Sequence, residues 1–134
     1  MQLGVVGLGR MGTGLVRRLL EQGHTIVAHD ISRERVEEIA TTGAAGARTL
    51  DDLVGQLAPP RAVWVMVPHG DPTAQTIESL LSRLEGGDIL IDAGNSRYTD
   101  SMTHAEQCRK RNVHFLDVGV SGGVWGAKDG FNLM

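Results

Sequence analysis

Apolar residues along this chain come in short unbroken runs, separated by longer stretches in which they recur every three or four positions. Short runs rich in Val, Ile and Leu suit strands buried on both faces, and the longer spacing suits helices with one buried stripe. The runs predict strands at residues 2–6, 25–29, 62–67, 88–91 and 113–118, with a shorter one at 46–48. After the first strand, residues 11–22 bring Met11, Leu15, Leu19 and Leu20 to one side, and Gly23 follows as a stop signal. Ser32 can cap a helix over 33–42, where Val36, Ile39 and Ala40 lie opposite Glu34, Arg35, Glu37 and Glu38. Asp71 and Pro72 offer a cap and a first-turn proline to a further helix, whose stripe is Ile77, Leu80, Leu81 and Leu84. Pro59-Pro60 and Gly86-Gly87 mark turns. Strand and helix in alternation predict an α/β fold, a doubly wound parallel sheet with flanking helices, forming one domain over residues 1–134.

Composition narrows what such a domain does. With 41% hydrophobic and 22% charged residues the chain resembles neither a disordered nor a fibrous protein. A net charge of −3, with both signs interspersed, leaves no basic footprint for nucleic acid. No apolar run approaches the roughly 20 residues of a membrane span, and residues 2–6 lead straight into a glycine-rich turn rather than a cleavable leader, so secretion is not expected. Cys108 is the single cysteine, which excludes internal disulfides and cysteine-based zinc sites and fits a reducing, cytoplasmic compartment. It sits in a polar, helix-like stretch without an adjacent base, so it reads as structural. No metal site is expected.

The chemistry concentrates in the turn after the first strand. Gly7-Leu8-Gly9-Arg10-Met11-Gly12 has the Gly-x-Gly-x-x-Gly spacing, and it follows a strand and opens a helix. In that context Gly7 permits the tight turn, Gly9 admits a pyrophosphate to the backbone, and Gly12 lets helix and strand pack closely. Asp30, after the second strand, stands where an acid would bind both hydroxyls of an adenosine ribose and repel the additional phosphate of NADP. Together these features resemble the Rossmann-type dinucleotide fold and favour NAD, with Arg33 and Arg35 as the residues that would serve NADP instead.

Three further stretches carry a narrower likeness: Val65-Met66-Val67-Pro68, Ile91-Asp92-Ala93-Gly94-Asn95-Ser96, and Val120-Ser121-Gly122-Gly123-Val124-Trp125-Gly126-Ala127-Lys128-Asp129-Gly130. In this order, over essentially the whole chain, they resemble the 6-phosphogluconate dehydrogenases, and the Val-Trp-Gly continuation resembles their shorter, NAD-using branch. The resemblance implies that Gly7, Leu8, Gly9, Arg10, Met11 and Gly12, together with Asp30, Ile31 and Ser32, line the dinucleotide. It puts Val67, Pro68 and His69 on the nicotinamide side, Asn95 against both ligands, and Ser121, Gly122 and Gly123 against 6-phosphogluconate. The residues alone also allow Asn95 to cap a following helix or turn and Ser121-Gly122-Gly123 to be a plain exit loop. His69 and Lys128, single loop residues, read first as solvated.

The resemblance further implies hydride transfer to the nicotinamide and decarboxylation to ribulose 5-phosphate, in the pentose phosphate pathway. The family's lysine base and glutamate acid lie beyond Met134, on helices of a catalytic and dimerising domain. No catalytic residue is therefore expected within residues 1–134, which alone should be inactive, while the parent is expected to be a homo-oligomer. Residues 130–134 read as the start of another strand. Two rival readings stay open on the residues, a β-hydroxyacid dehydrogenase acting on a short hydroxy acid and a non-catalytic NAD-binding module.

Overall fold

The computed structural model describes residues 1–123 and 125–134; Val124, within the third family-like stretch, lies outside the described residues. The chain runs β1 (Gln2–Val6), α1 (Arg10–Glu21), β2 (Thr25–His29), α2 (Arg33–Ala40), β3 (Ala45–Ala47), α3 (Leu50–Gly55), β4 (Ala62–Val65), α4 (Asp71–Leu81), β5 (Ile89–Asp92), α5 (Tyr98–Lys110) and β6 (His114–Asp117). A two-stranded hairpin, β7 (Val120–Ser121) and β8 (Asn132–Leu133), encloses the short helix α6 (Gly126–Asp129).

Strands β1 to β6 form one sheet in the order β3-β2-β1-β4-β5-β6, with every pairing parallel. The chain works outward from β1 to one edge, returns to the middle at β4, and works outward again. The strand order thus reverses between β1 and β4, and the loops leaving their carboxyl ends diverge to open a crevice. Apolar side chains fill both faces. Leu15, Val16, Ile26 and Ile39 pack on one side under α1 and α2, and Leu53, Ile77, Leu80 and Leu90 on the other under α3 and α4.

Several boundaries differ from the sequence expectation for identifiable reasons. β4 ends at Val65 rather than residue 67; Met66 N–H still donates to Val6 O (2.8 Å), but Pro68 has no N–H to continue the ladder. The cap of α4 is Gly70 at φ 86°, so Asp71 opens the helix rather than capping it. Ser32 caps α2 as expected, accepting from Arg35 N–H at 3.4 Å. β6, expected as a buried central strand, is the sheet edge, and Leu116 on it is 51% exposed. The strand foreseen near the chain end is β8, paired antiparallel to β7.

At the end of the sheet away from the crevice, β4 and β5 are clamped together. Asp88, fully buried, accepts from Arg61 N–H (2.7 Å), Glu85 N–H (2.9 Å) and the Arg61 guanidinium (3.1 Å). Burial opposes ionisation of this carboxyl, but the two backbone N–H groups and the Arg61 charge outweigh it and hold Asp88 below the ordinary carboxylate range.

Candidate functional site

The glycine turn owes its shape to backbone contact. Gly7 adopts φ 102°, and a Cβ there would collide with the Met66 carbonyl of the neighbouring loop. A Cβ on Gly12 would collide with the carbonyl of Gly7, so the start of α1 lies directly on the turn that leads into it. Gly9 differs. It has φ −66°, which any residue adopts, and a Cβ would meet nothing within 4 Å. The fold does not require glycine there: a side chain would project into open space.

That space is where two cavities meet. One, of about 550 Å³, extends past Gly7, Gly9, Asp30 and Ile31 towards Pro68 and Thr76. The other, of about 500 Å³, runs from Gly9, Arg10, Met11 and Gly12 past Met66, Val67 and Pro68 to Gly94, Asn95 and Gly123. Between them stands the N-terminus of α1, which has no side-chain cap and no acid in its first turn. Among the described residues nothing in the chain caps its first N–H groups or offsets its positive dipole end, which suit an anion. Two cavities joined across an anion-accepting helix start fit the two nucleoside halves and central pyrophosphate of a dinucleotide.

Asp30 is 9% exposed and works twice. Its Oδ2 accepts from Leu8 N–H at 2.6 Å and its Oδ1 from Ser32 N–H at 2.8 Å, so it ties the glycine turn to the end of β2. Arg35 approaches Oδ2 at 3.7 Å, while Arg33 turns away to Glu37 at 2.7 Å. Beside them Ile31 projects fully into solvent on the cavity wall.

The loop after β5 bounds the second cavity. Asn95 has φ 55°, a left-handed conformation that asparagine tolerates better than most residues. It does not cap α5, whose N-cap is Arg97; instead its Oδ1 accepts from Val120 N–H at 3.2 Å, joining this loop to the hairpin. Beneath it Asp92, wholly buried, accepts from Gly94 N–H (3.0 Å) and Ser96 Oγ (2.8 Å), and lies 3.2 Å from His104 Nδ1 on α5.

The profile of a family described as the NAD binding domain of 6-phosphogluconate dehydrogenase matches residues 2–134. The chain belongs to this family. Across its whole length it is 46% identical to the NAD(+)-dependent, decarboxylating 6-phosphogluconate dehydrogenase of Haloferax volcanii, and it spans 44% of that protein. It is 39% identical to the decarboxylating 6-phosphogluconate dehydrogenase of Haemophilus influenzae, spanning 28% of that protein. Among solved structures, the Plasmodium falciparum 6-phosphogluconate dehydrogenase, studied with NADP+ and with 6-phosphogluconate, superposes on all of this chain with a TM-score of 0.92 at 31% identity, the chain covering 30% of it. The domain therefore spans less than half the length of these relatives.

For a 6-phosphogluconate dehydrogenase NAD-binding domain, the residues expected from sequence are gathered unevenly. Gly9, Arg10, Met11, Gly12, Val67, Pro68 and Asn95 line the second cavity, and Gly7, Gly9, Asp30, Ile31, Val67 and Pro68 the first. Leu8 and Ser32 act through backbone N–H groups on Asp30. Of the Ser121-Gly122-Gly123 stretch only Gly123 reaches the second cavity. His69 is exposed and lines neither cavity, and Lys128 is exposed, its carbonyl accepting from Arg18 at 3.0 Å. Cys108 is buried, and burial pushes its thiol up to about 11, as befits a structural residue. Sequence reasoning missed Asp92, Ser96 and His104 as a cluster. The only local sign was the Asp-x-Gly spacing of a side-chain turn.

Proposed function

We propose that this domain binds NAD in preference to NADP and forms the cofactor-binding part of a 6-phosphogluconate dehydrogenase. The observation that carries the reading is the pair of cavities joined at Gly9 across the uncapped start of α1, with Asp30 at one side and Asn95 at the other. In this arrangement the adenosine half takes the first cavity, its ribose hydroxyls directed to Asp30 and the Ile31-Ser32 turn. The backbone of residues 9–12 receives the pyrophosphate. The nicotinamide half takes the second cavity, with Val67 and Pro68 on one side and Asn95 on the other; His69, next in the chain after Pro68, lies outside the cavity lining. Bound NAD supplies the hydride acceptor.

Coenzyme choice follows from charge. A phosphate beside the Asp30 carboxylate meets a repulsion on the order of 1 kcal/mol at about 4 Å in water and more in a partly buried crevice. Arg35 offsets part of that, but Arg33 is already paired with Glu37. The name of the Haloferax volcanii relative supports the same choice.

For the substrate, 6-phosphogluconate, the Asn95 amide and Gly123 border the second cavity, and Ser121 and Gly122 carry hydroxyl and backbone donors just outside it. They would hold the sugar acid so that the carbon bearing the reacting hydroxyl faces the cofactor. Loss of that hydroxyl's proton and the later return of a proton after carbon dioxide leaves fall to a lysine and a glutamate outside residues 1–134. The parent enzyme in this reading is a cytoplasmic homo-oligomer of the pentose phosphate pathway.

Calorimetric titration of the 134-residue chain with NAD and NADP tests the reading. NAD should bind at least about fivefold more tightly than NADP, the equivalent of about 1 kcal/mol, and Asp30→Ala should narrow the gap. Equal or reversed affinities would overturn the coenzyme assignment, and binding of neither would overturn the cofactor reading. The same sample given NAD and 6-phosphogluconate should form no NADH.

A further inference from the structure

Next to the loop that bounds the second cavity lies a polar cluster whose carboxylate and imidazole are closed off from solvent. Asp92 at the end of β5 is 0% exposed and His104 on α5 is 4% exposed. Burying two such groups is costly unless each finds a partner, and here they find each other, His104 Nδ1 lying 3.2 Å from Asp92 Oδ2. The same carboxylate accepts from Gly94 N–H and from Ser96 Oγ, the two residues that flank Asn95. Gly94 is pinned from the other side as well, since a Cβ there would stand 2.9 Å from Thr73 Oγ1 and 3.0 Å from the Val67 carbonyl. The Phe115 ring of β6 meets the His104 imidazole edge-on at a centroid distance of 6.4 Å.

The cluster resembles a catalytic triad in composition but not in arrangement. Aspartate is the hub, the serine and histidine both address it, and the serine has no base beside it. What the arrangement does is fix a loop. With Gly94 and Ser96 both held by one carboxylate, Asn95 is forced into its left-handed conformation, from which its Oδ1 receives Val120 N–H and the residue borders the cavity.

We propose that His104 is a positioning residue for the nicotinamide half of the cofactor, acting through Asp92 on the Gly94-Asn95-Ser96 loop. The proposal rests on the reading that the second cavity takes that half. An Nδ1–H donor holds the carboxylate in the orientation that also serves Gly94 and Ser96. Without it the carboxylate turns to find another donor and the loop loses its anchor, while the adenosine side, on the far side of Gly9, is untouched.

The test uses the 134-residue chain with His104→Leu, which removes the donor, and His104→Asn, whose side-chain amide can put a donor near the place of Nδ1. Each is titrated with NAD and with ADP, which lacks the nicotinamide half. His104→Leu should weaken NAD by about tenfold, the scale of a lost hydrogen bond to a charged group, and leave ADP within about twofold. His104→Asn should recover most of the loss. Equal weakening of both ligands would mark a merely structural role, and unchanged NAD affinity would mark none; either overturns the proposal. In the ligand-free chain, amide hydrogen exchange at Gly94 and Val120 should quicken in His104→Leu and not in His104→Asn. If the parent chain binds neither ligand, the cofactor reading fails by itself. The exchange comparison then decides alone whether His104 holds the loop, and unchanged exchange overturns it.

Discussion

Three glycines in one short turn serve three different ends, and substitution separates them. Alanine at Gly7 would be forced into the left-handed region and against the Met66 carbonyl. Strain of this kind costs about 1–3 kcal/mol, and Gly7→Ala should lower the melting temperature clearly. Gly9→Ala meets nothing and keeps an ordinary φ. It should melt like the parent, within about 0.5 kcal/mol, yet bind NAD far more weakly, because its methyl occupies the ligand's space. Thermal unfolding and calorimetry on the same two samples check both halves; a Gly9→Ala chain that binds NAD normally would mean the cofactor does not approach that backbone. The spacing of these glycines, and Asp30 after β2, were legible because a tight strand-to-helix turn sets them within a short stretch of chain. The double duty of Asp30 towards Leu8 and Ser32 was not, since backbone donors leave no mark in a sequence. His104 and Asp92 were invisible for a related reason: they meet only because α5 folds back over β5.

Elements were legible where burial is one-sided and apolar. Helices α1, α2 and α4 carried their stripes openly. Helix α5 did not, because the side chains it buries are Ser101, His104 and Cys108, small or polar residues that draw no apolar stripe; of these Cys108 packs into the core and His104 meets Asp92. Helix α3 is only six residues long, too short for a period to register, and its signal lies in its cap. Thr49 Oγ1 accepts from Asp52 N–H at 3.1 Å, while Asp52 Oδ2 reaches back to Arg48 N–H at 2.9 Å. Thr49→Ala should therefore cost about 1 kcal/mol, read as a lowered urea midpoint with an unchanged slope. A changed slope would say that α3 had detached rather than frayed. The edge position of β6 could not be read from its residues, since Phe115 and Leu116 look like core and only the sheet order sets them at the margin.

Across the molecule, the cavities and the buried ion-pair clamp lie at opposite ends of the sheet. The two cavities open at the carboxyl ends of β1, β4 and β5, whereas Arg61 and Asp88 clamp β4 to β5 at their amino ends. Because the folded state depresses the Asp88 pKa, it binds fewer protons there than the unfolded chain does. The clamp's contribution is thus complete above the ordinary carboxylate range and fades as pH falls through the depressed folded value. Asp88→Asn should destabilise by about 3 kcal/mol near neutrality, as expected on leaving Arg61 without its buried partner, and should flatten the loss of stability on acidification below about pH 4. Denaturant titrations at neutral and acid pH measure both. If the acid slopes of parent and variant coincide, other carboxyl groups govern the transition. NAD affinity should follow neither change, given the distance across the sheet.

Ile31 stands beside Asp30 with its whole aliphatic side chain in water, so the ligand-free domain maintains an ordered hydration shell that nothing in the fold requires. An adenosine settling on that wall releases this water, and the release has a calorimetric signature. The enthalpy of NAD binding should grow steadily more favourable with temperature, a negative heat-capacity change, and Ile31→Ser should reduce that slope while leaving the melting curve where it was. An unaltered slope would mean that the adenosine lies elsewhere; a reduced one would make this wet isoleucine the domain's thermometer for an occupied site.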